Sequence, residues 1–389
     1  MRVLAVALAA ALFMFGTTTA APTVTGNADV VIKNTHPLIH HNGRWDKSPG
    51  TWWAGSGFKI RVQDLKELKL KLGEHTTAPL VSLGVSVNYE PFFQVNASEG
   101  TNVIPLSNKS VMENTMLPSK PSVVRINVEG WQNNRMNLEE IILNPGAKLL
   151  KYTPSKLAFQ FIGDSLSAVS VGSGSQGQFL PEGVDQAWTF LTGENFKAEH
   201  NVNAQPGAAL KDIVSYGNQH GVSYQYFKTE DTGYYYTPDH NYTTPWNFAR
   251  DQPEPTHIVI HIGANDASQN VTADDFVETY LSFLQRLRKL YLFQPIFIFT
   301  PWGWPAADGT VSYYYEGQYQ RIVNTRVQSG DIRTYLVDTT GWVTWDDVFP
   351  DNTHPNVAGH AKIANLFSKW LEAWGLLPLD SWSTPLSPS

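Results

Sequence analysis

Four short stretches of this chain carry side chains able to do acyl-transfer chemistry. The first is Gly163-Asp164-Ser165-Leu166, at the end of the apolar run Leu157–Ile162. A run of that length reads as a buried strand, which the glycine and aspartate break. Ser165 therefore falls where a parallel sheet exposes side chains at the carboxyl edge of its strands, a place suited to a nucleophile. On its own, Gly-Asp-Ser is also an ordinary turn. The second stretch is Asp351-Asn352-Thr353-His354-Pro355. Pro355 keeps His354 out of helical geometry, on a loop. Asp351 can curl back to accept from its Nδ1, leaving Nε2 free as a base; Asp-x-x-His alone is equally a surface turn. The third stretch, His261–Asp266, ends the apolar run Ile258–Ile262 and offers the Asn265 amide to a developing oxyanion. The fourth is Asn203-Ala204-Gln205-Pro206-Gly207, where a glycine lets its backbone N–H face a ligand with no Cβ in the way. Each is weak alone. Together, each at a strand-to-loop junction, they make a strong constellation.

The elements that must position these residues fall into two patterns. From about Val30 to Tyr152, short runs rich in Val, Ile, Phe and Tyr (Phe58–Val62, Leu80–Asn88, Val123–Glu129) are separated by Gly, Pro, Asn and Ser clusters. This predicts an all-β domain over residues 28–152, a sandwich or jelly roll. Leu65–Leu72 suits a half-buried strand as well as a helix, and Arg135–Leu143 reads as a short helix-to-strand passage. After Lys151 strands and helices alternate, the pattern of a parallel sheet with helices on both faces, here over residues 153–377. The strands expected are Leu157–Ile162, Glu199–Val202, Thr256–Ile262, Pro295–Thr300 and Arg333–Val337, and the helices Gly207–Gly217, Ala273–Tyr291, Tyr314–Ser329 and Val357–Trp374. Gly375 supplies a C-cap, and the tail 378–389, rich in Ser and Pro, is expected to fray. The aromatic insertion Gly221–Pro255 reads either as a lid or as packing against the first domain. Trp246, Trp302 and Trp304 are candidate substrate walls, with core packing the alternative.

Composition bounds the function. Arg2, the apolar run Val3–Phe15 and the small residues up to Ala20 read as a secretory signal peptide over residues 1–20, so export is expected. A net charge of −7 over 389 residues argues against a nucleic-acid or anionic-membrane partner. The absence of cysteine excludes disulfides, thiolate metal sites and a cysteine nucleophile. His257, His261 and His354 show no metal-site spacing, so neither a metal nor a cofactor is expected. Asp338 could compete with Asp351 but reads better as a turn residue, Asp164 and Asp266 as ligands of backbone N–H groups, and His360 as structural. Asn-x-Ser/Thr sequons stand at Asn96, Asn108, Asn241 and Asn270.

The blocks Gly163-Asp164-Ser165-Leu166, Gly207, Gly263-x-Asn265-Asp266 and Asp351-x-x-His354-Pro355 resemble those of the SGNH or GDSL-type hydrolases. The resemblance spans nearly all of Leu157–Trp374, and the Gly-x-Ser-x-Gly elbow of ordinary α/β-hydrolases is absent. It implies a three-layer α/β/α, flavodoxin-like domain with Ser165 as nucleophile, His354 as base and Asp351 as its orienter. It also implies an oxyanion hole from the N–H groups of Ser165 and Gly207 and the Asn265 amide. A preceding β domain carrying Gly43-Arg44-Trp45 and Trp53-Ala54-Gly55-Ser56 is similar to carbohydrate esterase family 2. That likeness implies an enzyme that removes acetyl groups from plant polysaccharide such as acetyl xylan; separately, a monomer is expected. A lipid or small-ester acylhydrolase and a carbohydrate-binding protein on a decayed hydrolase are the competing readings.

Overall fold

The computed structural model describes residues 28–107, 120–130, 134–168, 183–229 and 244–386. The expected signal peptide lies outside them. The first domain is two antiparallel sheets face to face. One runs in the order Val30–Lys33, Met136–Leu143, Leu68–Leu72, Gly100–Ile104, with Gly50–Thr51 paired to the second of these. The other runs Lys148–Leu150, Gly57–Gln63, Ser122–Val128, Val81–Val87, Phe93–Ala97, with His40–Asn42 paired to Gly57–Gln63. Alternation resolves the open reading of Leu65–Leu72: Leu68, Leu70 and Leu72 are buried and the lysines between them half-buried, so Leu68–Leu72 is a strand. Met136–Leu143 is strand throughout, without the expected helical turn.

The second domain is a doubly wound parallel sheet. Its strands are β1 (Ala158–Gly163), β2 (Glu199–Ala204), β3 (His257–His261), β4 (Ile296–Phe299) and β5 (Thr334–Val337), in the spatial order β2-β1-β3-β4-β5. That is the flavodoxin-like order, with its switch point beside β1. The period of two explains the near-continuous apolar runs, because both faces are covered. Val259 and Phe297 pack with α1 (Trp188–Phe196) and α4 (Val357–Trp374). Ile258, Ile260 and Ile298 pack with α2 (Ala273–Leu290) and α3 (Gln318–Gln328) on the other side. The helix ends follow local chemistry. The Thr272 hydroxyl accepts from Asp275 N–H at 3.2 Å, Asn356 Oδ1 accepts from Gly359 N–H at 2.9 Å, and Gly375 closes α4 at φ 109°.

Three expectations need correction. Gly207–Gly217 is not a helix. Gly207, Tyr216 and Gly217 have positive φ, and the N–H groups of Leu210 and Lys211 donate to the Asp266 carboxylate at 2.6 and 2.9 Å instead of to preceding carbonyls. The helix expected from Tyr314 starts only at Gln318, because Tyr315 and Gly317 take positive φ. The tail expected to fray is held as far as Thr384: Trp382 stacks on Tyr89 with ring centroids 4.6 Å apart, and Thr384 Oγ1 accepts from Thr153 N–H at 2.7 Å. Helix α1 was not foreseen.

Candidate active site

The site is built at the carboxyl ends of β1, β2 and β3. Gly163, the last residue of β1, has no room for a side chain: a Cβ there would lie 2.4 Å from Ser167 Oγ and 2.7 Å from the His261 carbonyl oxygen. The chain then turns sharply. Asp164 is fully buried and its Oδ1 accepts from Leu166 N–H at 3.0 Å, capping a single 3-10 turn that starts at Ser165. Ser165 is left half-buried at the edge, and its Oγ lies 2.8 Å from His354 Nε2.

The His354 ring is held by its own loop. Phe349 and Thr353 N–H donate to the carbonyls of His354 and Phe349, both at 2.8 Å, and the Asn352 side chain accepts from His354 N–H at 2.9 Å. Nδ1 lies 3.0 Å from the Asn352 carbonyl oxygen. A carbonyl can only accept, so the proton of the neutral ring sits on Nδ1 and Nε2 presents its lone pair to the serine hydroxyl. Burial lowers the His354 pKa below the ordinary value, opposed by the Asn352 carbonyl and the Asp351 charge.

This corrects the expected role of Asp351. Its exposed carboxylate makes no hydrogen bond with His354 and acts on it only through space. The reason is the tight turn at 349–353, with Thr353 at φ 55°, which brings the Asn352 carbonyl to Nδ1 and leaves Asp351 in solvent. Asp338 does not contact His354 either; it caps a turn by accepting from Thr340 N–H at 3.0 Å.

Asn265 opens the short helix Ala264–Ser268 after β3. Its Nδ2 donates to the Ala208 carbonyl at 3.0 Å and reaches Asp164 Oδ2 at 3.4 Å. Burial raises the Asp164 carboxyl to about 7 and that of Asp266 to about 6, against their backbone N–H donors. Gly207, at φ 76°, could not carry a Cβ without meeting that of Tyr216 at 2.7 Å. Its N–H has no partner among the described residues. Gln205 N–H donates to the Gly163 carbonyl at 3.1 Å, tying this turn to the end of β1. The structure thus brings Ser165, His354, Asn265 and the Gly207 turn to one edge.

The three tryptophans separate. Trp304, in the hairpin Trp304–Pro305/Val311–Ser312, lies with its ring 6.1 Å from that of His354. Trp302 is 1% exposed and stacks on His261 with centroids 3.8 Å apart, so it is core and not a wall. Trp246 lines a different cavity, between the domains. Sequence reasoning missed the Asn352 carbonyl and the Ala208 carbonyl that orients Asn265, because a main-chain group leaves no mark in residue type. No cluster of metal-binding side chains occurs among the described residues. Asn96 and Asn270 are exposed; Asn108 and Asn241 lie outside the described residues.

A serine hydroxyl bonded to a histidine at the carboxyl edge of a parallel sheet, with amide donors alongside, is the equipment of a serine ester hydrolase. Residues 161–362 match the GDSL-like Lipase/Acylhydrolase family, and the chain belongs to that family. No curated protein sequence matches it. Solved structures do. A family two carbohydrate esterase from Clostridium thermocellum, in complex with cellohexaose, is 21% identical with a TM-score of 0.66, covering 87% of this chain and 100% of its own. A family two carbohydrate esterase from Cellvibrio japonicus is 15% identical with a TM-score of 0.69, covering 89% and 98%. An acetyl xylan esterase from Butyrivibrio proteoclasticus is 16% identical with a TM-score of 0.66, covering 89% and 99%. Coverage of this order spans both domains, and at these identities it establishes the fold: a β domain joined to an SGNH hydrolase domain.

Proposed function

We propose that this protein is a secreted esterase that removes O-acetyl groups from plant cell-wall carbohydrate such as acetyl xylan. The observation that carries the chemistry is the 2.8 Å contact between Ser165 Oγ and His354 Nε2, with the His354 proton held on the far nitrogen. In this reading His354 takes the Ser165 proton as Oγ attacks the acetyl carbonyl. The N–H groups of Ser165 and Gly207 and the Asn265 amide receive the oxyanion, which displaces the long 3.4 Å contact to Asp164. The sugar leaves with the proton from Nε2, and water then hydrolyses the acetyl-enzyme by the same relay.

The substrate class rests on the shared two-domain architecture of the carbohydrate esterases named above and on Trp304 at the rim of the site. Export rests on the apolar run Val3–Phe15. The test is a panel on the purified protein: acetate release from acetylated xylan, and hydrolysis of nitrophenyl acetate and a long-chain nitrophenyl ester. Acetate release with poor long-chain hydrolysis is expected. Preference for the long acyl chain would point to a lipid acylhydrolase, and no hydrolysis of any ester to a binding protein.

A further inference from the structure

Away from the serine, the two domains line an open cavity of about 590 Å³. Its walls include His41, Trp45 and Lys47 of the β domain and Trp246, Arg250 and Gln252 of the α/β domain. None of Ser165, Gly207, Asn265 or His354 lines it. Its β-domain wall is tied to β2 where the Asn201 side chain accepts from Gly43 N–H at 3.0 Å. Asn201 pairs with Gln160, three residues before the Gly163–Ala204 pair that ends the strands. At roughly 3.3 Å per residue, this anchor stands on the order of 10 Å behind the catalytic edge.

The lining is locally basic on a chain whose net charge is −7. Arg250 uses one N–H, from Nη1 to the Trp45 carbonyl at 3.0 Å, and its guanidinium lies 4.7 Å from the centre of the Trp246 ring. An arginine has further donors to offer. Lys47 is exposed at the same wall. The one carboxylate of the lining, Asp46, is committed elsewhere: it accepts from Arg135 Nη2 at 2.7 Å and from Gly50 and Ser48 N–H at 2.6 and 2.8 Å. The His41 ring, edge-on to Trp45 at 5.0 Å, makes no hydrogen bond among the described residues. An exposed lysine, an arginine with further donors to offer, an imidazole, an amide and an indole floor in a cavity of this size fit a hydroxylated ligand bearing a carboxylate.

We propose that this cavity binds a uronosyl-substituted oligosaccharide, with the carboxylate on Arg250 and Lys47 and the sugar hydroxyls on His41 and Gln252. The choice of a cell-wall sugar rests on the proposed function; the location and the charge preference rest on the cavity alone. A chain held there would present neighbouring acetyl esters to Ser165 at raised effective concentration.

The test is calorimetric titration of the full-length protein with a xylo-oligosaccharide carrying one glucuronosyl residue, the same oligosaccharide without it, and free glucuronate. The substituted oligosaccharide should bind about tenfold more tightly than the plain one, as one charge-assisted contact would give. Arg250→Gln and Lys47→Gln, checked for unchanged thermal unfolding, should each remove most of that preference, and Lys47→Gln changes only an exposed side chain. Equal affinity for the two oligosaccharides, a preference that survives both substitutions, or no binding would overturn the proposal. So would free glucuronate binding as tightly as the oligosaccharide, which would make the cavity a simple anion trap. Hydrolysis of nitrophenyl acetate by the wild-type protein reports the ester-hydrolase reading separately, so either can fail without the other.

Discussion

His354 meets Ser165 through Nε2 and a main-chain carbonyl through Nδ1, so the tautomer needed for base catalysis is set without a carboxylate. Two outcomes follow at the scale of residues. Asp351→Asn should lower kcat by less than about tenfold, where loss of a buried, hydrogen-bonded triad aspartate costs about 10⁴. Steady-state kinetics on an acetyl ester decides between them. Since burial holds the His354 pKa below its ordinary 6.5, the base stays neutral to lower pH. The acid limb of kcat/KM should therefore have its midpoint below 6.5, with activity lost as pH falls through it. A midpoint above 6.5 would mean that a carboxylate does stabilise the imidazolium. The sequence marks Ser165, His354, Asn265 and Gly207 by residue type and by their place at the ends of strands and in loops, and the structure brings them to one edge. The Nδ1 acceptor was not, since every residue carries a carbonyl and only the turn at 349–353 decides which one arrives.

Among the elements, β1, β3, β4 and β5 were legible from their apolar runs, which the polar β2 lacks, and α2 and α4 from their caps and charged ends. What the chain order could not reveal is competition for backbone hydrogen bonds. Residues 207–217 carry helix-forming residues, yet Asp266, distant in sequence, takes the N–H groups of Leu210 and Lys211 and the segment becomes a loop. Trp302 and Trp304 look alike in sequence, two residues apart. One turns inward onto His261 and Trp188, and the other to the rim near His354. Trp302→Ala should therefore destabilise the domain by about 3–5 kcal/mol, read by denaturant unfolding. Unchanged stability would contradict its place in the core.

For the whole molecule, the β domain is bolted to the hydrolase domain through polar residues on alternate positions of its sheet. Lys59 ion-pairs with Glu199 of β2, and Arg125 Nη1 with Glu194 of α1 at 2.6 Å. Burial alone would raise the Glu199 carboxyl, but Lys59, His40 and the Ser155 N–H outweigh it and hold the pKa at about 2. A depressed pKa stabilises above the ordinary carboxylate value of 4.5 and is lost as pH falls from there toward 2. Glu199→Gln leaves Lys59 charged and buried, so it should cost about 3–5 kcal/mol at neutral pH and remove that part of the acid sensitivity. Chemical unfolding at several pH values measures both. Ser165 has its Oγ 2.8 Å from the His354 base. The most direct measurement is reaction of the intact protein with a fluorophosphonate serine probe, followed by peptide mass mapping. The account predicts one adduct, on Ser165, absent in Ser165→Ala together with esterase activity. Labelling of another serine, or activity surviving in Ser165→Ala, would contradict it.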